Sequence, residues 1–530
     1  MHSNRRSLAV RAVAIVATFT LAVSCSASES ADDNGSAGSD PTTITGAIAT
    51  TINPDPDVYF AMEGVMITSA VYDPLVRQLP DSQEVEGVLA ESWTISDNGL
   101  TYTFTLRPDL TFADGSPLVA ADVRAAFQRR LDVAQIPASL IAGIASVEAP
   151  SDDTVVIELS APDHTFLLRL GGPWGPVVTN PEVLAENAGD DFGQTFLRTN
   201  SAGSGPYVID SFAADEEVVL VRNENYWGEP APTERIELKV ISSASTAQLQ
   251  VEQGDLDFAQ YVSPESATSL EDNQSVSVVQ SPGINMAIYQ INTAKAPFDD
   301  PAFRNAVVSA IPFDDIVSDV YGKWATQAVS YGPVGLTPSN AGLELPSDQQ
   351  ALDDAIAQLP GEQRSRTFQL AYLAADNGGQ ARITTYVGDA LRSAGLEVEE
   401  IPLTEAALLE FFSTPETGPD MVLTVQPSDG GGPDNWFRQF YSTTGPLNWN
   451  GAGTPEGDAI IDGANATPVN EDYPLGDLDA MTPILDDQLA TFPVADVPNI
   501  WIVNPELRGM ETMLGNNQAF LLTKLSLDEG

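Results

Sequence analysis

The chain is poor in the residues that most often carry chemistry. Among 530 residues there is one cysteine, Cys25, and two histidines, His2 and His164. A single cysteine excludes internal disulfides, a CxxC redox pair and any cysteine-built metal centre. Ser-His-Asp chemistry could be assembled only around His164, and neither a nucleophile elbow nor a zinc signature occurs in the chain. Lysine is scarce as well: Lys239, Lys295, Lys323 and Lys524 are the complete set. Basic residues number 23 against 75 acidic ones, a net charge of −52. Such a surface repels nucleic acid and anionic headgroups, so neither is an expected partner. The acidity suits solubility, in a saline exterior for example, and it also attracts cationic solutes. Carboxylates are too plentiful for counting alone to single out a glycosidase pair. No enzyme activity, cofactor or metal is expected.

Long apolar runs are missing too. Ala12–Ser24, AVAIVATFTLAVS, is too short for a comfortable membrane span. Arg5, Arg6 and Arg11 precede it, so residues 1–24 read as a signal peptide. The run ends at Ala22-Val23-Ser24-Cys25, which resembles a bacterial lipobox, although the position three before the cysteine usually holds Leu and here holds Ala22. Cys25 is therefore expected to carry two acyl chains, held in the membrane by about 0.8 kcal/mol per buried CH2. Ser26–Pro41, SASESADDNGSAGSDP, is small, polar and acidic, the composition of a flexible tether. The expected location is extracytoplasmic, on the outer face of the cell membrane, as a lipoprotein.

The remainder is long enough for several ordinary domains and, at 43% hydrophobic, for large cores. Its most informative stretch is Leu89–Asp122. Tyr102, Phe104 and Leu106 alternate with Thr101, Thr103 and Thr105, the pattern of a half-buried strand. Asp97-Asn98-Gly99 tolerates positive φ, which predicts a hairpin between Ser92–Ile95 and Leu100–Arg107. Asp114-Gly115 makes a second turn, and Asp122 lies where a negative charge favours a helix start. Further on, Phe368–Leu373, Ala381–Ala394, Leu396–Ile401, Glu405–Phe412 and Met421–Val425 read as β-α-β-α-β with a parallel sheet.

The spelling of these segments is also a family's spelling. LAESW at 89–93, SDNGLTYTFTLR at 96–107 and FADGSPLVAADV at 112–123 resemble the family 5 extracellular solute-binding proteins of ABC importers, the dipeptide, oligopeptide and nickel group. Gly203–Tyr207, Asn223–Trp227 and Gly254–Asp257 agree with it, and the resemblance runs over about residues 42–525. It implies an α/β fold of two lobes with a large accessory subdomain and a ligand cleft between the lobes. The implied organisation is lobe I at 42–78, accessory subdomain at 79–199, lobe I again at 200–295, lobe II at 296–497 and a return to lobe I at 498–530. It also implies a monomer that captures a solute, closes around it and hands it to ABC permease subunits. Pro312 and Pro474 depart locally from the family pattern by interrupting expected helices.

Ligands of open α/β sheets bind beyond the carboxyl ends of the strands. The loop after Met421–Val425 reads QPSDGGGPDNWF, and its glycines allow backbone to approach a bound molecule closely. Peptide-binding members of the family have a GDxxDPDNF-like loop here, whose first Asp pairs with the peptide α-ammonium. Asp429 falls on that Asp, followed by Gly430 and Gly431, with Trp436 as a stacking wall or a core residue. Tyr289, on a strand expected near the hinge, completes the candidate set. Dipeptide-binding relatives clamp the ligand carboxylate with an Arg where this chain has Ala375; Arg364, Arg366 and Arg438 are the available substitutes. The pattern favours short peptides with an unclamped end. The alternatives on the same scaffold are an oligosaccharide, for which Trp174, Trp324, Trp436 and Trp449 are available, or a metal chelate. A secreted hydrolase is the remote alternative.

Overall fold

The computed structural model describes residues 42–528, except 51–52, 59–61, 81, 261, 281–284, 335, 337–342, 344, 375–378, 429–431, 470 and 514–515. Cys25 and the tether lie outside the described residues, as do Asp429, Gly430, Gly431 and Ala375. Among the described residues, no helix is long and apolar enough to cross a membrane.

Two large sheets organise the chain. The first has seven strands in the order 277–280, 500–503, 258–259, 43–48, 235–240, 217–222, 207–213. Its centre is Thr43–Ile48, which runs parallel to Arg235–Val240 and to Phe258–Ala259. The second has six strands in the order 326–327, 491–496, 285–291, 421–427, 367–373, 397–403. Thr367–Leu373 is parallel to both Glu397–Leu403 and Met421–Pro427, so the β-α-β-α-β reading of this lobe matches the observed sheet. Helices cover both faces, and each sheet has its own apolar clusters.

The accessory subdomain is built on a four-stranded antiparallel sheet, 90–95, 101–106, 154–159, 144–151. Its first hairpin has the expected register, with Trp93 opposite Phe104 and Thr94 opposite Thr103. Gly99 turns it at φ 68°, and its N–H donates to the Ser96 carbonyl at 2.8 Å. Helix Ala120–Val133 follows, its start stabilised by Asp122, whose carboxylate accepts the Val119 N–H at 2.8 Å. Other helix ends obey the same local chemistry. Ser243 caps Ala244–Gln253, which stops at Gly254 in the left-handed region. Asp300 caps Pro301–Ser309 and accepts the Ala302 N–H. Pro312 and Pro474 each stand immediately before a new short helix.

The chain passes between the sheets twice, across 281–284 and across 497–499. The first passage comes earlier than the boundary expected at residue 295, because Asn285–Ile291 belongs to the second sheet. That strand lies between 421–427 and 491–496 and is buried along its whole length. Its sequence therefore lacks the alternation that marks a strand with one wet face. The second crossing is bonded to the strand that follows the first, with Val497 N–H donating to the Asn285 carbonyl at 2.8 Å.

Candidate ligand cleft

The registers determine which edges face the hinge. Asn285, the first residue after one crossing, pairs with Pro427 at the carboxyl end of Met421–Pro427. Asp496, the last residue before the other crossing, pairs with Met286 on the same edge. In lobe I the crossing strand 500–503 lies between 277–280 and Phe258–Ala259 and is antiparallel to both, so the carboxyl ends of 277–280 and Phe258–Ala259 point the same way, to the hinge. Both lobes thus turn strand carboxyl ends toward the hinge, where an open α/β sheet takes its ligand.

Ser428 and Gly432, the described flanks of the glycine-rich loop, lie at this edge. Gly432 is tightly enclosed: a Cβ there would come within 2.9 Å of the Thr165 Cβ and 2.8 Å of the Asp434 Oδ1. Trp436 and Tyr289 take no place in the cleft wall. Both are fully buried. The Trp436 indole N–H donates to the Tyr331 carbonyl at 2.7 Å. The Tyr289 hydroxyl donates to Thr384 Oγ1 at 3.1 Å, and its ring stacks on Phe492. These are satisfied core residues: Trp436 takes the core reading rather than that of a stacking wall, and the ligand-facing expectation for Tyr289 is corrected. Trp436 lies on helix Pro433–Tyr441, whose buried face packs it against Phe440.

The three arginines weighed as carboxylate clamps are all engaged within the protein. Arg366 holds the buried carboxylate of Asp420 through two nitrogens, at 2.8 and 2.9 Å, and lies over the Phe368 ring. Arg364 donates to the Ala357 and Leu359 carbonyls. Arg438 joins Asp434 and Asp462.

Three features escaped the sequence. The first is a buried ion network in lobe I. Arg129 donates to both oxygens of Asp55 and to Asp57, at 2.6 to 2.9 Å, while Arg130 donates to Asp57, the Trp174 carbonyl and the Pro56 carbonyl. It fastens the segment following the first strand to the accessory helix. Burial by itself would lower the Arg129 pKa, but the bonds and charges of Asp55 and Asp57 raise it.

The second is a seam between the accessory subdomain and lobe II. His164 N–H donates to the Asn465 carbonyl at 3.1 Å, and His164 Nδ1 lies 3.2 Å from the Thr467 carbonyl. A carbonyl only accepts, so Nδ1 carries the hydrogen. The imidazole meets the Tyr473 ring edge-on, and Arg169 is ion-paired to Asp163. Burial lowers the Arg169 pKa, and the charge of Arg438 adds to that while Asp434 opposes it. A cavity of about 390 Å³ opens here, between Leu140, Ile144 and Phe166 on one side and Arg438, Asp462 and Asn465 on the other. A separate inter-lobe contact is apolar. Trp324, attached to the lobe II sheet through Thr326–Gln327, is buried among the lobe I residues Val251, Leu270 and Ile502, and its indole N–H donates to Thr268.

The third is Asp496 itself. It is 3% exposed, and its Oδ1 accepts the Val334 N–H at 3.0 Å. Burial pushes its pKa up to about 7, with the Val334 bond acting against that.

Two lobes joined by two crossings, with sheet edges turned to a common hinge, define the class of two-lobed periplasmic binding proteins. Solved structures agree. A periplasmic binding protein DppA of Helicobacter pylori, in complex with the peptide STSA, aligns with TM-score 0.79 at 22% identity, covering 92% of this chain and 98% of its own. NikA of Brucella suis, in complex with Fe(III)-EDTA, aligns with TM-score 0.80 at 21% identity, covering 92% and 100%. At such identities the likeness concerns the fold. Sequence supplies the family: the profile of "Bacterial extracellular solute-binding proteins, family 5 Middle" matches residues 84–448, and the chain belongs to that family. A probable D,D-dipeptide-binding periplasmic protein DdpA of Escherichia coli K12 is 31% identical over 328 residues, 61% of this chain and 62% of that protein. Heme-binding protein A of Haemophilus influenzae is 29% identical over 277 residues, 49% of this chain and 50% of that protein.

Proposed function

We propose that this protein is a lipid-anchored receptor that captures a short peptide between its two lobes and delivers it to the permease of an ABC importer. The observation that supports this reading is the position of Ser428 and Gly432, the described flanks of the loop between Met421–Pro427 and helix Pro433–Tyr441. Ser428 follows the carboxyl end of a central lobe II strand beside the hinge, and Gly432 packs against Thr165 of the accessory subdomain. Asp429 in that loop is the proposed partner of a peptide α-ammonium, an ion-assisted bond stronger than a neutral one. The engagement of Arg364, Arg366 and Arg438 supports a ligand whose carboxyl end is left unclamped. Peptide capture by relatives, among them the D,D-dipeptide-binding protein and the STSA complex, is consistent with it.

Closure follows from contacts that a ligand makes to both lobes only when they are together. The test is direct: protein starting at Ser26 is purified natively and denatured, and the released molecules are identified by mass spectrometry. Short peptides are the expected result, and Asp429→Asn should then weaken them by at least about 2 kcal/mol. Release of a chelate or an oligosaccharide, or unchanged peptide affinity in that variant, would remove the role assigned to Asp429. For the anchor, Cys25→Ala should move the protein from the membrane fraction to the medium.

A further inference from the structure

The buried aspartates of this chain follow a rule with one exception. Asp55 and Asp57 have Arg129 and Arg130; Asp420 has Arg366 and Lys295; Asp434 has Arg438; Asp73 has Arg77. Asp257 has no cation, but its two oxygens accept from Thr45 N–H and Asn504 Nδ2. Among the described residues Asp496 alone has neither: no cation within ion-pair distance, and Oδ2 without a partner. A buried carboxylate oxygen with no donor is costly, and a buried charge with no counter-charge more so.

The elements packed against Asp496 do not supply the missing charge. Strand Asn285–Ile291 contributes Tyr289 as its titratable group; the residue opposite Asp496 is Met286, so the alternation of the strand puts Tyr289 on the other face. Strand Thr326–Gln327 has none. Next to Val334, the segment after it offers Tyr331, whose hydroxyl donates to Asp486. What the chain withholds, a ligand can bring, because Asp496 ends its strand on the cleft edge, beside the hinge.

We propose that Asp496 is a second ligand-binding carboxylate of the cleft, which receives a cationic group of the captured solute through Oδ2 and so selects for positively charged ligands. The inference rests on the cleft reading above and sharpens it: the solute class becomes cationic, in keeping with a chain that has no free guanidinium for an anion among the three weighed. Burial explains how the site remains tolerable when empty, since a carboxyl titrating about 7 is half protonated near neutrality. A cation displaces that proton.

The experiment compares matched solutes that differ by one charge, using calorimetric titration of the full mature chain and of Asp496→Asn. The pairs are Ala-Lys-Ala and Ala-norleucine-Ala, and 1,6-diaminohexane and 6-amino-1-hexanol. The expected result is a preference of at least about tenfold for the charged member of at least one pair, collapsing to near onefold in Asp496→Asn. Because lysine and the diamine remain charged throughout, their affinity for the wild-type chain should rise about tenfold from about pH 6 to about pH 8, which needs no variant to read. Equal binding of every pair, or a preference that survives in Asp496→Asn, overturns the inference. Peptides that bind without regard to charge would overturn it while leaving the peptide receptor standing. Binding of the diamine with no peptide bound would do the reverse.

Discussion

Arg129 and Arg130 reach Asp55 and Asp57 with all four side chains out of water, whereas Arg438 divides itself between buried Asp434 and Asp462, which is 68% exposed on its side chain. The first group joins two parts of lobe I that share one body throughout any hinge motion. The second ties two helices of lobe II to each other, on the face that lines the seam with the accessory subdomain. The same residue types therefore make a dry fastening in one place and a half-wet one in the other, and solvent decides how firmly each holds. Charges in a dry site are costly to separate because each is left unpaired, whereas water takes over the partners of an exposed pair.

The comparison can be broken in four places. Arg129→Ala should have the largest effect, about 3–5 kcal/mol of lost stability in urea unfolding, since Asp55 and Asp57 are left buried without their shared cation. A loss below about 1 kcal/mol would show that water reaches the network and that the contrast with the seam is false. Trp324→Ala should cost about 3 kcal/mol, the range for deleting a buried aromatic, and should also change the inter-lobe geometry seen by small-angle scattering. An unchanged scattering profile would confine Trp324 to a packing role.

Asp496→Asn tests the unpaired carboxylate by pH. The folded protein holds this proton more tightly than the unfolded chain, whose Asp titrates near the ordinary 3.8. The stabilising effect of the proton is thus complete below that value and is lost as pH rises through about 7. Wild type should fall relative to Asp496→Asn between those limits, on the order of 4 kcal/mol, in thermal melts across that window. Parallel curves would mean the carboxylate is solvated. Asp462→Asn should be the mildest change, under about 1 kcal/mol in urea unfolding, because it removes one exposed partner of Arg438 within lobe II. A loss as large as that of Arg129→Ala would show that solvent does not separate the two groups.

What the sequence made legible was local or periodic. The hairpin at 90–106 could be read because Asn98-Gly99 and the Thr-aromatic alternation both follow from contacts within a few residues. Lobe II could be read because its strands and helices alternate along the chain. Long-range pairing left no such trace: Asp55 and Arg129 are 74 residues apart, and nothing near either announces the other. Landmarks near Tyr289 point to the cleft and those near Trp436 leave wall and core equally open, while the burial of both depends on neighbours from distant segments. Two signals were present and unused. Ser281-Pro282-Gly283 punctuates the chain where it leaves lobe I, and Asp496 is a single acid inside the apolar run FPVADVP.

The hydrogen bond between Val497 and the Asn285 carbonyl has a kinetic consequence. Because it ties the second connection to the first residue of the strand that follows the other, movement of one connection pulls on the root of the other, and a single coordinate of lobe motion is the expected outcome. One donor and one acceptor fluorophore, one on each lobe, should then follow the whole cycle as a single transfer efficiency, with each captured molecule appearing as a step between two levels.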